Sequence, residues 1–165
     1  MPRVGSIRDK RQGELFLAIA ILIVVDQLSK LWVRNGLSVG QSLPEEGTLR
    51  LNHVINSGGV FGLPAPQPWP VVFSVLIIIG LLLLYYRYPA FDKPLPKIAL
   101  GLLVGGAVGN LVDRLRFGYV TDFIDLNLWG DFHWPAFNLA DCAIVLGVFL
   151  FAISLLGRRE YVNPN

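Results

Sequence analysis

Four apolar stretches, residues 15–33, 70–86, 98–115 and 138–156, constrain this chain more than any other feature of its sequence. Each runs for about 17 to 20 residues, close to the roughly 20 that a helix rising 1.5 Å per residue needs to cross a hydrocarbon layer about 30 Å thick. A mean hydropathy of +0.54 with 16% charged residues lies outside the balance of a soluble domain. The expected fold is therefore an all-α polytopic membrane protein with four transmembrane helices and a small β element on its outer face. Residues 1–165 read as a single membrane-embedded domain, without a second domain or internal repeat. The first stretch is too long for a signal-peptide core, contains Asp26 and Lys30, and is followed by no small-residue cleavage pattern. It is expected to be retained.

Basic residues set the expected orientation. Arg3, Arg8, Lys10 and Arg11 precede the first span, Arg87, Lys93 and Lys97 lie between the second and third, and Arg158 and Arg159 follow the fourth. Nine of the fourteen cationic residues thus fall on one side, which the positive-inside rule makes cytoplasmic, with both termini inside. Segments 34–69 and 116–137 then face outward, with Glu45, Glu46, Asp122, Asp125 and Asp131, and with Trp69, Trp129 and Trp134 suited to an interfacial belt. Near alternation at Leu49, Leu51, His53 and Ile55 predicts a small hairpin there, and "YVTDFIDL" predicts a second short extended piece. The segment "GLPAPQPW" is too rich in proline for a regular helix.

Several function classes drop out on composition. A formal charge of +2 with no basic run interleaved with aromatics excludes nucleic-acid binding. Cys142 is the only cysteine, so neither a disulfide within the chain nor a paired-thiolate metal site is available. His53 and His133 form no H-E-x-x-H element, and no metal or cofactor is expected. There is no G-x-S-x-G nucleophile elbow, and Ser29 and Lys30 are neighbours whose side chains diverge on a helix.

What remains is a set of polar residues where lipid would favour none. Asp26 and Lys30 are spaced i, i+4 in the outer half of the first span. Asn110, Asp113 and Arg114 share one face at the outer end of the third, Asn138 and Asp141 open the fourth, Asp122 lies in the loop between, and Asn56 ends the hairpin. Each has a structural reading. Gly101, Gly105 and Gly109 read as a stripe for close helix packing, Asp26 with Lys30 as an isolated ion pair, Asp113 as an arginine partner, and Asn138 as an N-cap. Together, however, four acids with amides and cations at one depth cost more than packing requires. Paired carboxylates share a proton, so that one serves as general base on water and the other as general acid, which is the chemistry of peptide hydrolysis by an aspartic dyad. Spacing alone does not say which two acids pair. Intramembrane acids also mark proton- or ion-coupled transporters, although here they lie near one surface and no inverted repeat is visible. A scaffold locked by polar packing is the third possibility.

The ordered motifs "DQLSK" (26–30), "NSGGVF" (56–61), "GGAVGNLVDR" (105–114), "VTDF" (120–123) and "FNLAD" (137–141) resemble those of bacterial lipoprotein signal peptidase, signal peptidase II, over most of the chain. The resemblance implies a multi-pass enzyme of the bacterial cell membrane, monomeric among membrane lipids, with its site near the outer leaflet. Its substrate would be a lipid-modified prolipoprotein, cleaved just before the diacylglyceryl cysteine, and globomycin would occupy the site. The resemblance also implies that Asp122 and Asp141 are catalytic, with Asp26, Lys30, Asn56, Gly58, Asn110, Asp113, Arg114 and Asn138 in support around the substrate. The chain departs from the family at Gly59 and Val60, where alanines are common, and at Ser29, where threonine is. It also has the proline-rich "LPAPQPW" where relatives carry a short surface helix over the site.

Overall fold

The computed structural model describes residues 4–58, 68–129 and 132–159. The elements are α1 (Val4–Gly36), β1 (Ser42–Leu43), β2 (Leu49–Asn56), α2 (Trp69–Arg87), a short 3-10 turn (Pro89–Asp92), α3 (Pro94–Phe117), β3 (Val120–Trp129), β4 (Phe132–Phe137) and α4 (Leu139–Arg159). All four helices are long and apolar enough to cross a membrane, by length and composition. All four extend past the expected bounds, α1 and α3 furthest and for local reasons. Helix α1 begins eleven residues before position 15, in the polar, basic segment ahead of the span. Helix α3 starts at Pro94, because prolines at 94 and 96 fall in the first turn, where no intrahelical N–H is required. It stops at Gly118, whose left-handed φ of 79° lets its N–H close back on the Arg114 carbonyl.

Helix α3 is the central one. Over half of its span is buried (56%), against 17–22% for the others, and it packs on α1, α2 and α4. The glycine stripe explains the close approach. A Cβ on Gly105 would come within 2.7 Å of Leu22 Cδ2 on α1, and one on Gly106 would run into the Ala140 carbonyl oxygen of α4. A Cβ on Gly109 would lie 2.7 Å from Asp26 Oδ2. At that level the missing side chain makes room for a carboxylate rather than for a methyl group.

The two extended pieces expected separately belong to one antiparallel sheet, ordered β1-β2-β3-β4. Strand β2 pairs mainly with β3, with Val54 opposite Asp122 and Asn56 opposite Val120, beyond a register shift between Leu51 and Val54. Strand β4, "FHWPAF", had no sequence signal, because Pro135 interrupts it. It survives as an edge strand, where a missing backbone donor is tolerated. Val33 of α1 and Leu37 just beyond its end pack with Phe123, Leu51, Ile124 and Leu139, fastening the sheet to the helix ends. His53 is buried and its Nδ1 lies 2.9 Å from the Leu37 carbonyl, tying β2 to the end of α1. The expectations for Gly59, Val60, Asp131 and most of the proline-rich segment 58–69 fall outside the described residues.

Candidate active site

The first turn of α4 is built by a reciprocal cap. Asn138 Oδ1 accepts the Asp141 N–H at 3.0 Å, and Asp141 Oδ2 accepts the Asn138 N–H at 3.1 Å. This is a capping box with asparagine and aspartate in the two roles. The N-cap reading of Asn138 therefore holds, yet it leaves the side-chain Nδ2 free to act elsewhere. That group donates to Asp122 Oδ1 at 2.6 Å and to Asn110 Oδ1 at 3.1 Å. Asn138 thus joins Asp122 to Asp141 through its side chain and its backbone.

The remaining carboxylate oxygens are each met by an amide. Asp122 Oδ2 accepts from Asn56 Nδ2 at 2.8 Å, and Asp141 Oδ1 accepts from Asn110 Nδ2 at 2.8 Å. The β2–β3 register makes the first contact possible, since it sets Asn56 two residues along from the partner of Asp122 on the same face. Both amides are oriented from behind. The N–H of Gly58 donates to Asn56 Oδ1 at 3.1 Å, and Lys30 Nζ donates to Asn110 Oδ1 at 2.9 Å. With the oxygens occupied, each NH₂ points at a carboxylate. Asp122 is 2% exposed, and its pKa is pushed up to about 6. Burial is the main cause; the Asn56 bond opposes it and the Asp141 charge adds to it.

Beneath this layer Asp26, Lys30 and Asp113 are wholly buried. Lys30 Nζ lies 2.9 Å from Asp26 Oδ2 and 3.5 Å from Asp113 Oδ2. Asp26 and Lys30 are therefore part of a network instead of an isolated pair. Asp113 does face an arginine, but it is Arg34 at 3.6 Å. Arg114 is half-buried, donates to Ser74 Oγ at 3.4 Å, and lies within electrostatic reach of Asp141, Asp122 and Asp113. The structure brings all ten sequence-derived residues to one end of the helix bundle, with Asp26, Lys30, Asn110, Asp113, Asp122 and Asn138 buried.

Sequence reasoning missed Gln27, Arg34 and Thr121. Gln27 Nε2 reaches Asp113 Oδ1 at 3.0 Å and the Gly109 carbonyl at 3.1 Å. Arg34 Nη1 donates to Thr121 Oγ1 at 2.9 Å, and its guanidinium sits 4.6 Å from the centre of the Phe117 ring. Gln27 carried a usable signal, being a polar residue in an apolar run one position from Asp26. Thr121 carried none, because its burial follows from the sheet.

Two amide-braced carboxylates, one holding its proton close to neutral pH, form a pair suited to general acid–base work on water and a carbonyl. Four apolar helices bearing such a pair beneath a small sheet define a multi-pass membrane protein with a paired-carboxylate site. Residues 18–157 match the family model for signal peptidase (SPase) II. The chain is 45% identical over 143 residues to the lipoprotein signal peptidase of Moorella thermoacetica, covering 86% of this chain and 92% of that one. It is 43% identical over 148 residues to that of Pelotomaculum thermopropionicum, covering 88% and 93%. Among solved structures it is similar to a bacterial membrane enzyme determined by the in meso method at 2.3 Å resolution, with a TM-score of 0.82, 28% identity and 93% of each chain covered. The chain belongs to the signal peptidase II family and is a multi-pass bacterial membrane peptidase.

Proposed function

We propose that this peptidase is of the aspartic type, with Asp122 and Asp141 as its catalytic pair, and that it removes the signal peptide from diacylglyceryl-modified prolipoproteins just before the lipidated cysteine. The observation that carries the reading is Asn138, which bonds to both carboxylates and so holds them as one unit. Family membership supplies the substrate class: relatives at 43–45% identity are lipoprotein signal peptidases.

We assign the two carboxylates complementary roles. Asp141 takes a proton from water as its oxygen attacks the scissile carbonyl carbon, while Asp122 gives its proton to the carbonyl oxygen. When the C–N bond breaks, Asp141 passes its proton to the departing amine of the lipidated cysteine, and the hydroxyl proton of the intermediate returns to Asp122. The asparagines receive no proton; they hold the carboxylates in place. Arg114 borders the pair on the side of α2 and is assigned to orienting the substrate. With the basic loops cytoplasmic, the pair faces the outer leaflet, at the depth where a lipid anchor holds the scissile bond. One chain supplies every group, so a monomer suffices, and globomycin is expected to compete for the site.

The test is cleavage of a diacylglyceryl-modified prolipoprotein by the purified chain in detergent, with unmodified prolipoprotein alongside. Cleavage of the modified substrate without any ion gradient is the expected result. No cleavage of either substrate, with ion flux in proteoliposomes instead, would favour a coupled transporter.

A further inference from the structure

Asp26 and Asp113 lie on different helices, yet each performs the same task. Asp26 Oδ1 accepts the backbone N–H of Ala140 at 3.0 Å, and Asp113 Oδ2 accepts the backbone N–H of Thr121 at 3.0 Å. Ala140 immediately precedes Asp141, and Thr121 immediately precedes Asp122. Each inner carboxylate therefore grips the main chain one residue before one member of the proposed pair. A backbone held at that point sets where the next Cα, and hence the next carboxylate, projects.

Two side chains tie these grips together. Lys30 reaches both inner carboxylates and also Asn110. Gln27 does the same without charge: its Nε2 lies 3.0 Å from Asp113 Oδ1, 3.3 Å from Asp26 Oδ2 and 3.1 Å from the Gly109 carbonyl. Three acceptors around one terminal atom identify it as the nitrogen, since an oxygen there would face three like partners. The Gln27 Oε1 is buried with no partner among the described residues. Gly109 makes the junction possible, because any side chain there would fill the space Asp26 occupies.

We propose that Gln27 is a positioning residue for the peptidase reaction: with Lys30 it locks Asp26 and Asp113 into one buried unit that sets the separation of Asp122 and Asp141 through the backbone before each. This rests on the assignment of those two aspartates as the catalytic pair. It gives the inner acids a role apart from substrate contact, and it gives a role to a residue that the motif resemblance did not single out.

The test compares wild type, Asp122→Asn, Gln27→Leu and Gln27→Glu on a diacylglyceryl-modified prolipoprotein in detergent, with kcat, KM, the pH dependence of kcat/KM and thermal melting recorded for each. Gln27→Leu keeps the bulk and loses the donors; Gln27→Glu keeps the shape and sets a third acid against two others. Loosening the unit is expected to lower kcat about 10- to 100-fold in Gln27→Leu, with KM within twofold and the variant folded at the assay temperature. Gln27→Glu is expected to be the slower of the two at pH 8 and to recover part of the loss as pH falls and its carboxyl regains a proton to donate. A side chain that only fills space would be satisfied by either replacement. Wild-type kcat and an unchanged pH profile in folded Gln27→Leu and Gln27→Glu overturn the inference. Turnover surviving in Asp122→Asn overturns instead the assignment of the pair on which it rests.

Discussion

Asn138, the residue that caps α4, donates its side-chain Nδ2 to Asp122 Oδ1 on β3 at 2.6 Å. The same residue caps α4 by accepting the Asp141 N–H. Its two roles separate on substitution. Asn138→Ala loses the cap, worth about 1 kcal/mol of stability, and also removes one of the two amide bonds to Asp122. Asn138→Ser retains a capping oxygen but no NH₂. Melting is expected to recover in the serine variant while kcat stays low in both; a serine variant with wild-type turnover would remove the side-chain link from the account.

The pH dependence follows from the position of Asp122 near 6. Its folded pKa is raised from the ordinary 3.8, so the proton stabilises the folded state. That contribution is complete below about pH 4 and is lost as pH rises through about 6. Asn56 stabilises the ionised form, so Asn56→Ala is expected to raise the Asp122 pKa further and to widen that window. If Asp122 acts as the acid, the alkaline limb of kcat/KM also moves to higher pH in the variant. Measuring the limb in wild type and Asn56→Ala checks both the sign and the role; a downward move contradicts it.

The glycine stripe makes a graded expectation. A Cβ at Gly106 meets the Ala140 backbone, which cannot yield, whereas one at Gly101 meets side-chain ends alone, Leu15 Cδ1 at 3.1 Å and Ile19 Cγ1 at 4.0 Å. Gly106→Ala is expected to destabilise by about 1–3 kcal/mol through overpacking and, because Ala140 precedes Asp141, to slow turnover. Gly101→Ala is expected to stay near wild type in both. Thermal melting and turnover of the two variants side by side decide it, equal losses arguing against the close α3–α4 contact as the cause.

Much of this site was legible in the sequence because lipid penalises polar residues so heavily. Asp26, Lys30, Asn110, Asp113, Asn138 and Asp141 stood out against apolar surroundings, and helical spacing put each group on a common face and depth. The tasks of Asp26 and Asp113 were not legible, since both hold backbone N–H groups on other elements, 114 and 8 residues away in sequence. Backbone donors leave no mark on residue type. The four-stranded sheet was half legible: alternation marked β2 and part of β3, while Pro135 hid β4 and the pairing of β2 with β3 depends on the helices that bring them together. Gln27 went unread because a single amide beside a recognised acid looks like incidental polarity until its three acceptors are seen.

The central claim is that Asp122 and Asp141 do the chemistry. Its most direct test is single-turnover cleavage of a diacylglyceryl-modified prolipoprotein by wild type, Asp122→Asn, Asp141→Asn and Asp113→Asn, with melting recorded for each. Loss of a general acid or base is expected to cost at least about 100-fold in rate, in folded protein, for Asp122→Asn and Asp141→Asn, while Asp113→Asn keeps measurable turnover. Near-normal cleavage by either of the first two would contradict the assignment and move the chemistry to the inner acids, Asp26 and Asp113.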